Sequence, residues 1–119
     1  MTPTKDLTQL IIEGIHERKG RGVTVIDFSD IESAAASCFV IAEGTSATHT
    51  QAIADSVYEY LLDKAGVKPY NLDCPGNGDW VILDYGSVWV HIFLPETRRR
   101  YNLEELWSDA PSTNVPDLD

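Results

Sequence analysis

Residues 80–94, WVILDYGSVWVHIFL, alternate along most of their length around a central Gly-Ser pair. Side chains that alternate with period two belong to a strand, and Gly-Ser belongs to a tight turn, so the stretch predicts a β-hairpin. A turn at Gly86 and Ser87 sets Asp84 opposite Trp89 and Ile82 opposite His91. One face then holds Val81, Leu83, Tyr85, Val88, Val90, Ile92 and Leu94, which is apolar apart from one phenol and is expected against the core. The other holds Trp80, Ile82, Asp84, Trp89, His91 and Phe93, large aromatics around one acid and one imidazole. A face of that composition is either roofed by a helix or presented to a partner as a set of aromatic anchors. A three-residue turn would mix the two sets.

The rest of the chain alternates helical and extended patterns. Leu7, Leu10, Ile11 and Ile15 recur at helical spacing and predict a helix over 6–19, stopped by Gly20 and Gly22. Residues 23–28 (VTVIDF) are β-branched enough for a strand, 29–37 form a connector with room for one helical turn, and 38–42 (CFVIA) read as a short central strand. Gly44 breaks that strand. Thr45 or Ser46 can cap a helix that runs to Gly66 and buries Ile53, Val57, Tyr60 and Leu61. Residues 69–72 suit a short edge strand, 75–79 a turn, and 101–107 a last short helix. Residues 108–119 lack periodicity, contain two prolines, and are expected as a flexible acidic tail. The pattern implies an α/β (α+β) fold in one domain over 1–107, with a mixed sheet of about five strands and helices packed on it. The strand–helix–strand unit over 38–72 is expected to supply its parallel part and the hairpin its antiparallel part.

Charge narrows the function. Nineteen acids against nine bases give a formal net charge of −10. Between Gly22 and Asp63 there is no Lys or Arg, while Asp27, Asp30, Glu32, Glu43, Asp55, Glu59 and Asp63 fall there. Direct nucleic-acid binding needs the opposite sign of footprint. A basic protein partner is favoured, although solubility alone accounts for acidity equally well. No run approaches the ~18 apolar residues of a membrane span, the start is not that of a signal peptide, and two cysteines make no disulfide framework. These features fit a cytoplasmic protein with reduced thiols.

Catalytic patterns are weak. Asp84 and His91 have no obvious nucleophile, since Ser87 is a turn residue. His16, His49 and His91 are scattered and show no metal-ligand spacing, so no metal is expected. The strand–Gly44-Thr45-Ser46–helix junction is the better enzymatic candidate. A glycine turn opening onto a helix N-terminus can cradle a phosphate, and its placement is similar to that in nucleotidyltransferases. Those enzymes need an Asp-x-Asp pair for metal ions, and the one such pair here is Asp117-Leu118-Asp119 at the chain end. A residual nucleotide-binding enzyme using Gly44, Thr45 and Ser46 is therefore the alternative reading.

Across residues 5–107 the chain resembles the ribosomal silencing factor, or iojap-like, family. The resemblance rests on Trp80-Val-Ile-Leu-Asp84-Tyr85-Gly86, Val90-His91-Ile-Phe93 and Arg100-Tyr101-Asn-Leu103-Glu104-Glu-Leu-Trp107. Phe39-Val-Ile, Gly44-Thr45-Ser46 and Ala52-Ile53-Ala54-Asp55 add to it. The chain departs from the family pattern at Ser37-Cys38, Asp73-Cys74 and Ser87, none of which touches the aromatic, acid or imidazole positions. The resemblance implies a nucleotidyltransferase-like fold without catalytic carboxylates, no enzymatic activity and no cofactor. It implies binding to the large ribosomal subunit through its fourteenth ribosomal protein, which blocks small-subunit joining and represses translation. It further implies a part in large-subunit assembly among organellar relatives, and homodimers of the free protein. Carried onto this chain, Trp80 becomes an apolar anchor, Asp84 an ion-pair partner for an arginine or lysine, and Phe93 a second aromatic contact, with Tyr101 beside them. His91 hydrogen-bonds at the patch or orients Asp84, Tyr85 and Gly86 shape the hairpin end, and Trp89 and Trp107 are packing residues.

Overall fold

A computed structural model describes residues 3–31, 36–74 and 78–117. Its elements in chain order are α1 (Thr4–Glu17), β1 (Arg21–Asp27), β2 (Cys38–Glu43), α2 (Ala47–Ala65), β3 (Asn71–Asp73), β4 (Trp80–Asp84), β5 (Val88–Phe93), α3 (Pro95–Tyr101), α4 (Leu103–Leu106) and β6 (Ser112–Asn114). The strands form one sheet in the order β3-β4-β5-β2-β1-β6. The expected mixed sheet with packed helices is therefore present, with six strands among the described residues.

Three expectations need correction. First, β2 and β3 are not neighbours. The parallel pair is β2 with β5, and α2 carries the chain past β5 and β4 to the far edge, where β3 pairs antiparallel with β4. Second, the helix expected over 101–107 is one turn, α4, preceded by the unexpected α3. Pro95 occupies the first turn of α3, where its missing N–H costs nothing. Asn102 then turns left-handed (φ 44°), ends α3, and accepts from the Glu105 N–H to cap α4. Third, the tail is not free over its middle. Ser112–Asn114 add β6 to the outer edge of β1, Val115 N–H donates to Val23 O, and Asp117 accepts from Gly22 N–H (3.0 Å) and Arg21 (3.1 Å). The expected connector at 29–37 and turn at 75–79 lie partly outside the described residues.

Both faces of the sheet are used, unequally. On one, α1 and α2 bury Leu7, Ile11, Ile15, Ile53, Val57 and Leu61 against Val23, Val40, Ala42, Val81, Leu83, Val90 and Ile92. Removing each such side chain from water stabilises the fold by ~1.5–3 kcal/mol, before entropy is subtracted. Tyr60, expected in the α2 stripe, is only half-buried and donates to Glu13 Oε1 (2.8 Å), while Thr50 and Ala54 complete the stripe. The opposite face carries a smaller cluster of Ile26, Phe28, Ile41, Phe93 and Ala110, with Phe39, Trp80, Leu103 and Trp107 against it. The short α3–α4 segment lies toward this face, reaching β5 through α3 and the cluster through Leu103.

Candidate docking surface

The hairpin has the expected register: Asp84 faces Trp89, Ile82 faces His91 and Trp80 faces Phe93. Its two-residue turn closes with Tyr85 N–H donating to Val88 O (2.9 Å). Gly86 takes φ 86°, a left-handed conformation that favours glycine. Asp84 Oδ1 accepts from Gly86 N–H (2.7 Å), so the acid braces the turn with one oxygen. Val81, Leu83, Tyr85, Val88, Val90 and Ile92 all point into the core, while Leu94 is half-buried at the start of α3. Tyr85 is thus a core residue. Its hydroxyl is buried without a partner among the described residues, and burial pushes its pKa far up.

On the other face the aromatics form a continuous array. Trp80 stacks on Phe93 (centroids 5.1 Å) and lies against Tyr101 (4.7 Å). His91 touches Phe39 (4.5 Å), Phe39 stacks on Trp89 (5.9 Å), and Phe28 joins Phe39 to Trp107 (4.8 and 4.9 Å). Trp80, Ile82, Asp84, Trp89 and Phe39 are half-buried, and Tyr101 is 47% exposed. Phe93, read from sequence as a contact residue, is wholly buried and supports Trp80 from beneath. Phe39 was missed. Its signal was its place in β2, which becomes informative only once β2 is known to lie beside β5, opposite Trp89.

His91 does not hold Asp84. Its Nδ1 accepts from Trp80 Nε1–H (3.2 Å), and its Nε2 is buried with no partner among the described residues. Burial lowers its pKa to about 4, so the ring is neutral near pH 7. The imidazole and the indole are therefore a unit, and the acid belongs to the turn.

At the other end of the same face sits a polar centre that sequence reading did not single out. Arg98 on α3 is 9% exposed. Its Nη1 donates to Gly22 O (2.6 Å) and Glu43 Oε2 (2.9 Å), its Nη2 to Thr24 Oγ1 (2.9 Å), and its Nε lies 3.4 Å from both Glu104 oxygens. Gly22 takes φ 62° at a register shift in β1, which exposes its carbonyl to Arg98 while Asp117 accepts its N–H. Thr24 Oγ1 passes the connection on to Asn114 Oδ1 (3.0 Å) in β6. One arginine thus ties α3, α4, β1 and β2 together.

The Gly44–Ser46 turn is occupied by its own helix. Ser46 caps α2 by accepting from His49 N–H (3.1 Å). His49 Nδ1 accepts from Thr45 N–H (2.9 Å), and its Nε2 bonds Arg18 O (2.7 Å). A Cβ at Gly44 would meet Thr50 N at 2.8 Å, so this glycine lets the strand end approach the helix. The Gly44, Thr45 and His49 N–H groups, three of the donors such a turn could offer a phosphate, are already bonded within the chain. Among the described residues no group of three or more His, Cys, Asp or Glu could hold a metal ion. No helix among them is long and apolar enough to cross a membrane.

Comparison with known proteins places the chain in one family. The family model described as "Ribosomal silencing factor during starvation" matches residues 2–119. The ribosomal silencing factor of Halalkalibacterium halodurans is 32% identical over 111 residues, covering 93% of each chain. The mouse protein named "Mitochondrial assembly of ribosomal large subunit protein 1" is 32% identical over 103 residues, 83% of this chain and 44% of that one. A crystal structure of a protein from Chromobacterium violaceum superposes with a TM-score of 0.82 at 32% identity, covering 90% of this chain and 88% of that one. The chain belongs to the ribosomal silencing factor family, whose members are ribosome-associated regulators rather than enzymes.

Proposed function

We propose that this chain silences ribosomes by docking its aromatic sheet face on the large subunit. The contact is to that subunit's fourteenth ribosomal protein, and the bound chain stands where the small subunit must join. The observation that carries this reading is Trp80, a half-buried indole fixed by His91, Phe93 and Tyr101 and set on the same strand face as Asp84. A pre-fixed aromatic loses little freedom on binding, and a well-buried anchor of this kind supplies about 2 kcal/mol or more. A net charge of −10 repels ribosomal RNA and attracts a basic protein, so the chain docks on protein. Occlusion requires affinity and bulk but no reaction. The chain works in the cytoplasm, where its target is. A free homodimer would cover the same face until the ribosome competes for it. The name of the mouse relative supports a further role for this surface in large-subunit assembly.

The test is sedimentation with separated ribosomal subunits, followed by addition of the partner subunit. The wild-type protein should travel with large subunits and reduce subunit joining. Trp80→Ala and Asp84→Arg should remove both effects while leaving the circular dichroism spectrum unchanged. Undiminished co-sedimentation of both variants would sink this assignment of the surface.

A further inference from the structure

His91 is the one residue of the aromatic face whose chemistry conflicts with its surroundings. It is 4% exposed and lies between Ile82 on β4 and Ile41 on β2, with Phe39 and Phe93 close by. A neutral imidazole that accepts at Nδ1 carries its proton on Nε2. Here that N–H is buried with no acceptor among the described residues. A buried donor without a partner lowers the stability of the fold, and an apolar side chain of similar volume would suit the same space better. What the imidazole does provide is a single acceptor for the Trp80 indole N–H at 3.2 Å. That bond fixes the indole about its remaining free torsion, while Phe93 and Tyr101 flank its ring at 5.1 and 4.7 Å.

We propose that His91 is a positioning residue: it aims Trp80 for docking and lowers the stability of the fold in doing so. The proposal rests on the docking role of Trp80. A residue kept for packing should lose stability when replaced, whereas one kept for aiming a neighbour should lose binding and keep or gain stability. The two roles therefore predict opposite signs for one substitution.

His91→Leu removes the acceptor and approximately keeps the volume; His91→Gln removes the ring and keeps an acceptor. Both are compared with wild type by thermal melting and by affinity for purified large subunits. Trp80 itself is followed by 19F NMR of fluorotryptophan-labelled protein, its resonance assigned with Trp80→Phe. His91→Leu should melt at or above the wild-type temperature, bind large subunits about ten-fold more weakly, and show a broadened or split Trp80 resonance. His91→Gln should recover most of the affinity and a single resonance. Wild-type affinity in His91→Leu, or a melting temperature well below wild type with an unchanged Trp80 resonance, would overturn the proposal. If Trp80→Ala binds as well as wild type, the docking reading fails instead. The Trp80 resonance in His91→Leu then still reports whether the imidazole holds the indole.

Discussion

Arg98 and His91 lie on the same sheet face and are both about nine-tenths buried or more, yet they are treated oppositely by their surroundings. Every nitrogen of Arg98 faces an acceptor: a carbonyl, a hydroxyl and two carboxylates. Among the described residues His91 has one partner for two nitrogens, and that partner is a half-buried tryptophan at the rim. A saturated polar centre fixes how elements sit on one another. An unsaturated one weakens the fold locally, and is retained where it serves something else. The face thus divides into a structural end, where α3 and α4 are fastened to β1 and β2, and a presenting end built on β4 and β5.

The largest effect should fall at the structural end. Arg98→Met removes the charge and every donor while keeping most of the aliphatic stem. Gly22 O and Thr24 Oγ1 lose the donor that Arg98 supplied, and Glu43 loses its ion pair. Breaking a buried pair from one side costs about 3–5 kcal/mol, and urea unfolding should show a loss of that order. Because α3 carries Tyr101 against Trp80, the remaining folded protein should also bind large subunits less tightly. A change below about 1 kcal/mol would mean that the arginine is an ornament of the face and not its fastening.

The presenting end should show itself through pH. His91 has a folded pKa of about 4, below its ordinary value of about 6.5 because burial disfavours the charged ring. Between those values the unfolded chain binds a proton that the folded chain refuses. Titration of His91 therefore costs the fold nothing above pH 6.5, and stability is lost as the pH falls toward 4. The loss attributable to His91 is on the order of 3 kcal/mol. Glu13 and Asp27 also have lowered pKa values, through hydrogen bonds, but they are the same in wild type and variant. The comparison to make is the stability of wild type against His91→Leu from pH 7 to pH 4. Because His91→Leu starts at or above wild type, the gap between the two curves should widen as the pH falls, and parallel curves would place the imidazole in contact with solvent.

The two ends also differed in how far the sequence disclosed them. The hairpin was legible to the residue, because a Gly-Ser turn and period-two alternation fix register locally. That alone placed Trp80, Asp84 and His91 on one face and Tyr85 on the other. The role of His91 was not legible: Trp80 and His91 are eleven positions apart on paired strands, and only side-chain rotation decides whether the imidazole meets an indole or an acid. The structural end was almost invisible. PETRRRY has no apolar stripe, since α3 is anchored chiefly by an arginine, a residue type that usually signals solvent. STN in β6 is polar and exposed, and joins the sheet by backbone pairing that leaves no hydrophobic pattern. Patterns reveal elements that are held by burial; these two are held by directed bonds between distant residues.

The smallest effect tests whether saturation at Arg98 is uniform. Glu104 meets Nε at 3.4 Å from both oxygens and its side chain is 35% exposed, whereas Glu43 meets Nη1 at 2.9 Å and is 29% exposed. A long, half-hydrated ion pair is worth little because water screens it and the glutamate must be held still. Glu104→Gln keeps the shape and one acceptor oxygen, so it should cost about 0.5 kcal/mol or less in urea unfolding. Glu43→Gln should cost clearly more, because the shorter bond lies on a strand that cannot move to compensate. Equal costs would show that Arg98 responds to summed negative charge and not to individual geometry. The fastening would then be a diffuse electrostatic one, and the contrast with His91 would rest on charge alone.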